Sequence, residues 1–75
     1  MVDGYRIRVQ SLGGMVLMQR PFALSTDWEE YWRVLQDPQN LKVFAEVGKI
    51  IISKESLSPC GTWEALLVVP MEVTL

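Results

Sequence analysis

Apolar and polar residues alternate at the start of the chain. Residues 5–10 read YRIRVQ, and a period of two places successive side chains on opposite faces of a β-strand. Gly13 and Gly14 separate this segment from a second apolar run that begins at Met15. A glycine pair suits a tight hairpin turn because glycine readily adopts positive φ. We therefore predict a β-hairpin. Its expected cross-strand pairs are Tyr5 with Phe22, Val9 with Met18 and Leu12 with Met15.

This register gives the hairpin two different faces. The mostly apolar face is expected to carry Tyr5, Ile7, Val9, Val16, Met18 and Phe22, with Arg20 among them. The opposite face is expected to carry Arg6, Arg8, Gln10 and Gln19, with Leu12, Met15 and Leu17 near the turn. Pro21 has no amide hydrogen, so a bulge or the end of the strand is expected beside it.

The period then changes from two to that of a helix. The apolar residues at helical spacing are Trp28, Tyr31, Trp32 and Leu35. They predict an amphipathic helix over residues 26–36, and Thr26 with Glu29 fits a capping box at its start. Asp37 followed by Pro38 ends the helix, because a residue before proline avoids the α conformation. The same pair also suits the start of a second short helix.

Residues 41–47 fit two structures. Their alternation favours a strand, although Phe44 and Val47 also fit one helical turn. We favour the strand, because Gly48 and Lys49 look like a tight turn into Ile50–Ile52. Three consecutive β-branched residues predict a buried strand.

The remaining chain is predicted to form a loop and a long final strand. Residues 54–59 are expected to form a loop or a short helical turn, followed by a β-turn over residues 58–61. Every second residue of the last segment is apolar, which would place them all on one face of a strand: Trp63, Ala65, Leu67, Val69, Met71, Val73 and Leu75. This face is expected to be fully buried. Pro70 predicts a bulge, a bend or a sheet edge.

The predicted element order is β-β-α-β-β-β within one domain spanning residues 1–75. The simplest architecture is an α+β fold, in which a mainly antiparallel sheet carries one amphipathic helix on one face.

The composition excludes several kinds of chemistry. The chain has no histidine and one cysteine, so it cannot by itself supply a histidine-based catalytic triad, a His/Cys zinc site or an internal disulfide. Cys60 lies in a Pro-Cys-Gly turn, and no base that could activate it is close in sequence. We expect no catalysis by this chain alone, no metal site and no cofactor.

Charge and hydropathy suggest where the protein acts. The net charge is −2 and the sequence pI is about 4.9, which disfavours a general nucleic-acid binder. The first twenty residues contain no continuous apolar h-region of the kind found in a secretory signal, and the most apolar segment, residues 65–71, is too short to span a bilayer. The expectation is a soluble cytoplasmic protein with a reduced thiol and no membrane partner.

Three residues are candidates for ligand binding. Arg6 and Arg8 share one face of the first strand and could contact phosphate or carboxylate groups. Trp28, one helical turn before Trp32, could offer an aromatic platform. A nucleic-acid or nucleotide binder would use these residues. The alternative is that the arginines lie on an ordinary solvated sheet face and that the tryptophans pack in the core.

Five apolar residues are candidates for an interface. In a chain of 75 residues that is 49% apolar, a single helix cannot cover all of the apolar sheet surface. The candidates are Leu12, Met15, Leu17, Leu66 and Val68, unless they are scattered surface residues. We therefore expect a non-enzymatic protein-interaction module that forms a homodimer or higher oligomer or binds an unidentified protein. The alternative is an accessory subunit of a larger enzyme.

The segment Phe44–Leu57 (FAEVGKIIISKESL) resembles a pattern in small phage and prophage proteins. There an amphipathic strand, a tight turn, an isoleucine-rich strand and a polar step precede a last strand. The resemblance covers about a fifth of the chain. It implies a small β-rich protein of a mobile element, and some such proteins bind and block a host protein complex. It assigns no role to any single residue.

Overall fold

The computed structural model describes residues 4–73, which form four β-strands, an α-helix and a 3-10 helix. The elements in chain order are β1 (Tyr5–Ser11), β2 (Val16–Phe22), α1 (Ser25–Leu35), the 3-10 helix (Pro38–Phe44), β3 (Lys49–Leu57) and β4 (Trp63–Glu72). The strands form one antiparallel sheet in the order β2-β1-β3-β4. The predicted α+β class and the antiparallel sheet are confirmed.

The predicted strand at residues 41–47 is wrong, and a 3-10 helix lies there instead. Asp37 caps this helix, because its carboxylate accepts the N–H of Gln39 at 3.0 Å, and Pro38 occupies the first turn. Leu41 is fully buried while Val43 is 79% exposed. The alternation that suggested a strand therefore reflects a short helix with one buried face.

The strand β3 is longer than predicted. Residues 54–57, expected to lie in a loop or helical turn, continue the strand to Leu57. Polar residues there are compatible with a central strand because they have charged partners. Lys54 donates to Glu29 of α1 at 2.6 Å, and Glu55 accepts from Arg6 of β1.

The hairpin of β1 and β2 has the predicted register along most of its length. Tyr5 pairs with Phe22 and Val9 with Met18, and Arg20 lies opposite Ile7 on the apolar face. These pairings are confirmed.

The turn of the hairpin differs from the prediction. Ser11, not Leu12, pairs with Met15, and it donates its N–H to the Met15 carbonyl at 2.9 Å. Within the turn, only Gly14 has positive φ, at 93°. This longer turn shifts the register by one residue, and a bulge at Leu17 shifts it back. Val16 consequently lies opposite Gln10 and not on the apolar face.

The strand β4 also contains a bulge, which breaks its predicted apolar face. Lys54 pairs with Leu67 but Glu55 pairs with Ala65, so Leu66 is the extra residue. Ala65 and Trp63 therefore lie on the opposite face of the sheet from Leu67, Val69 and Met71. The expectation of a fully buried face is wrong. Of the alternate residues from Trp63 to Val73, only Val73 is buried, and it lies just after the end of the strand. Leu75 lies outside the described residues.

The helix α1 packs one side of the sheet and confirms the predicted helix with its bounds shifted by one residue. Its N-cap is Leu24, which makes no side-chain hydrogen bond, so the predicted capping box of Thr26 and Glu29 is not formed. Neither helix within residues 4–73 is long and apolar enough to cross a membrane. The core consists of Ile7, Val9, Phe22, Trp28, Trp32, Leu35, Leu41, Ile50, Ile52 and Val73.

Adjacent isoleucines of β3 provide a test of which sheet face holds the core. Ile52 is fully buried under α1, whereas Ile51 is half-buried on the opposite face. We expect Ile52→Val to lower the free energy of unfolding by about 0.5–1.5 kcal/mol, because it leaves a small cavity. Ile51→Val should lower it less. Urea titrations followed by tryptophan fluorescence measure both, and equal losses would contradict the assigned core.

The missing cap of α1 provides a second test. Leu24 is 60% exposed and has the extended backbone typical of an N-cap residue. We expect Leu24→Ser to raise the free energy of unfolding by about 1 kcal/mol, since its hydroxyl can accept an amide hydrogen of the first turn. The control is Leu24→Ala, which removes the same apolar surface without adding a cap. Thermal unfolding compares the two, and an equal midpoint would contradict the prediction.

Candidate interaction surface

The middle of the edge strand β4 is apolar and exposed on both faces. Leu66, Leu67 and Val68 are 54%, 47% and 57% exposed. Leu67 lies opposite Lys54 on the helix side of the sheet, and Val68 lies opposite Ser53 on the other side. Among residues 4–73, α1 packs mainly over β1 and β2 and leaves the middle of β4 exposed. Edge strands usually carry charges that prevent pairing, and this segment carries none.

The backbone of β4 also presents hydrogen-bonding groups at the free edge. Val73 donates its N–H to the carbonyl oxygen of Gly48, just before β3, at 2.6 Å, so the backbone groups of Val73 point toward β3. By alternation, the backbone groups of Val68 and Glu72 point away from β3. The nitrogen of Pro70 also points outward, so the proline removes no bond from the β3–β4 ladder. This explains why β4 tolerates a proline. Of the bulge, bend or sheet edge that Pro70 predicted, the edge is confirmed.

The predicted interface residues fall into two separate groups. Leu66 and Val68 lie on β4, whereas Leu12 and Met15, 60% and 68% exposed, lie at the tip of the β1–β2 hairpin. Leu17 belongs to neither exposed group, because it is half-buried and packs against the core. Leu67 was not among the predicted interface residues, since it belongs to the alternate apolar residues of the last strand that were expected to be buried.

Arg6 lies in a compact cluster on the sheet face opposite α1. Its Nε donates to Oε1 of Glu55, and the two side chains are 13% and 11% exposed. Its guanidinium carbon lies 4.2 Å from the centroid of the Trp63 ring, which is a cation–π contact. Arg6 is therefore largely neutralised and covered. The bulge at Leu66 places Trp63 on this face, and the sequence alone did not predict that position.

Arg8 is less tightly held. It lies two residues along the same face of β1, and its Nε donates to Oε1 of Gln19 at 3.2 Å. No carboxylate of residues 4–73 forms an ion pair with it. Of the two predicted arginines, Arg8 is the one whose charge is available to an anion.

Trp28 lies in the core and is only 4% exposed. Its indole N–H donates to the backbone carbonyl of Arg6 at 3.1 Å, and its ring contacts Tyr5 with the centroids 4.7 Å apart. The ammonium of Lys54 lies 4.5 Å from the Trp28 ring centroid on the helix side. The prediction that Trp28 offers an aromatic platform is therefore not supported, and the alternative that Trp28 packs in the core describes its position.

A shallow cleft lies between the end of β2 and α1. Arg20 stacks there on the rings of Phe22 and Tyr31, at 5.4 and 4.8 Å from their centroids. The same cleft is lined by Asp27 and Glu30. Its charges are mixed, and its arginine is engaged by aromatic rings, so the cleft favours no single class of charged ligand.

No protein-family model matches the sequence, and neither a curated protein nor a solved structure matches it. The argument for function therefore depends on the geometry of the described residues.

The Arg6 cluster can be tested against Arg8 as a matched control. Arg6→Met should lower the free energy of unfolding by about 2 kcal/mol or more, because it leaves the carboxylate of Glu55 nearly buried without its partner. Arg8→Met should change it by less than about 1 kcal/mol, since among residues 4–73 the side chain of Arg8 bonds only to the uncharged Gln19. Urea titrations measure both changes, and equal effects would show that the Arg6–Glu55 pair has no special weight.

Proposed function

We propose that this protein is a non-enzymatic interaction module that self-associates by burying the middle of β4 against another polypeptide. The observation that carries the proposal is the run of three half-exposed apolar side chains, Leu66, Leu67 and Val68, on an edge strand. Contiguous apolar surface beside free backbone groups favours a protein partner, because pairing satisfies both features at once.

We further propose a cytoplasmic role in which the protein binds and blocks a host protein complex. This part is supported by the resemblance of residues 44–57 to proteins of phages and prophages. Gly48 does form a turn into the isoleucine-rich strand β3, with φ at 82°. The preceding residues depart from that pattern, because Phe44 ends a 3-10 helix. An accessory subunit of a larger enzyme would use the same β4 surface.

Nucleic-acid or nucleotide binding has support from fewer residues. Arg6 is paired with Glu55, and Trp28 is buried. Arg8 remains as an available cation, with the half-buried Trp63 on the same face of the sheet. One arginine with an available charge on this sheet face, in a chain of net charge −2, provides little attraction for a polyanion.

The proposal predicts self-association that depends on β4. Sedimentation velocity over micromolar to millimolar concentrations should show the wild-type chain shifting from monomer to dimer or higher oligomer. Val68→Lys should weaken this association at least about tenfold, because it places a charge in an apolar interface. The matched control is Val43→Lys, at a valine that is 79% exposed on the 3-10 helix, and it should associate like the wild type.

Circular dichroism should first show that both lysine variants are folded. A wild-type chain that remains an 8.6 kDa monomer at every concentration would remove self-association from the proposal. Equal weakening by both lysine variants would assign the effect to net charge and not to β4.

A further inference from the structure

We infer that the partner of β4 is β4 of a second copy, paired antiparallel about a two-fold axis between Leu66 and Leu67. This inference depends on the proposed self-association and specifies its geometry. The product is a continuous eight-stranded sheet with both α1 helices on the same side.

The first argument is the apolar character of the two sheet edges. A strand that pairs with the middle of β4 must be apolar on both faces, and β4 itself meets this condition. The other edge, β2, carries the exposed polar residues Gln19 and Arg20 and the exposed Pro21. Pairing β2 with β4 would also be heterologous and would produce an open-ended assembly unless its rotation closed a ring.

The second argument is the position of the carboxylates. Glu64 and Glu72 are exposed near the two ends of β4, and the residues between them are uncharged. Parallel pairing in register would place each carboxylate beside its copy, which is unfavourable. In the antiparallel arrangement, Glu64 lies opposite Val69 of the second copy, and Glu72 lies beyond the paired segment. The charge pattern therefore favours antiparallel pairing.

The third argument is the direction of the backbone groups. Leu57 donates its N–H to Gly4, on the β1 side, so Leu57 and the opposite Trp63 do not bond each other. By alternation along β4, the backbone N–H and C=O groups of Glu64 therefore point toward β3, and those of Ala65 point outward. Beyond the bulge, the backbone groups of Val68 also point outward. The proposed axis places Ala65 opposite Val68 of the second copy, and it places Val68 opposite Ala65 of the second copy. Both members of each pair have outward backbone groups, and both lie on the same sheet face.

The geometry can be tested by cross-linking between cysteines. In a Cys60→Ser background, Leu67→Cys places a thiol next to its own copy across the axis, so a short bifunctional maleimide should link the chains efficiently. Met15→Cys, at the hairpin tip, tests the other exposed apolar group. Val43→Cys reports random collisions, and both of these variants should link only weakly.

Hydrogen exchange provides a readout that needs no substitution. At concentrations where sedimentation shows dimers, the amides of Ala65 and Val68 should become protected relative to dilute protein, while amides of the hairpin tip should not. Efficient linking through Met15→Cys together with unprotected β4 amides would overturn the inference but leave self-association intact. A monomer in sedimentation, with no linking of any variant above the Val43→Cys background, would overturn both.

Discussion

The packing of one short helix on a four-stranded sheet determines most of what is distinctive in this protein. A helix is about 10 Å wide and neighbouring strands lie about 4.8 Å apart, so the single eleven-residue helix α1 can cover about two or three strands. It packs mainly over the first hairpin, and Trp28 and Trp32 bury the centre of the sheet. The last strand therefore lies beyond its reach, and a strand rich in Leu and Val is left as an exposed edge.

The central strand β3 shows how the sheet accommodates charge. It contains Lys54 and Glu55 in its interior, both 8% exposed and on opposite faces. Each is paired across the structure, with Glu29 of α1 and with Arg6 of β1. The aromatic rings of Trp28 and Trp63 cover the cations of Lys54 and Arg6, respectively. The arginine and the tryptophan that suggest ligand binding in the sequence therefore contribute to stability in the fold.

Periodicity predicted the features that depend on local pattern. The helix and the Val9–Met18 register follow from spacing alone, because one apolar face must meet the core. Residues 54–57 could not be placed from the sequence, because their long-range partners are what make a polar strand stable. The 3-10 helix at residues 38–44 was ambiguous because one buried leucine per turn resembles alternation. The exposure of Leu67 could not be predicted because it depends on how far α1 extends.

The bulge at Leu66 links the core to the candidate surface. Without the bulge, regular alternation of residues 63–67 would place Trp63 and Ala65 on the helix side of the sheet with Leu67. With it, Trp63 turns to the other side and covers the Arg6–Glu55 pair. The same inserted residue leaves three consecutive apolar side chains exposed at the edge. Because a single backbone irregularity produces both results, restoring regular alternation over residues 63–67 would alter the charged cluster and the exposed edge together. The internal stability of this sheet and its capacity to pair are therefore structurally coupled.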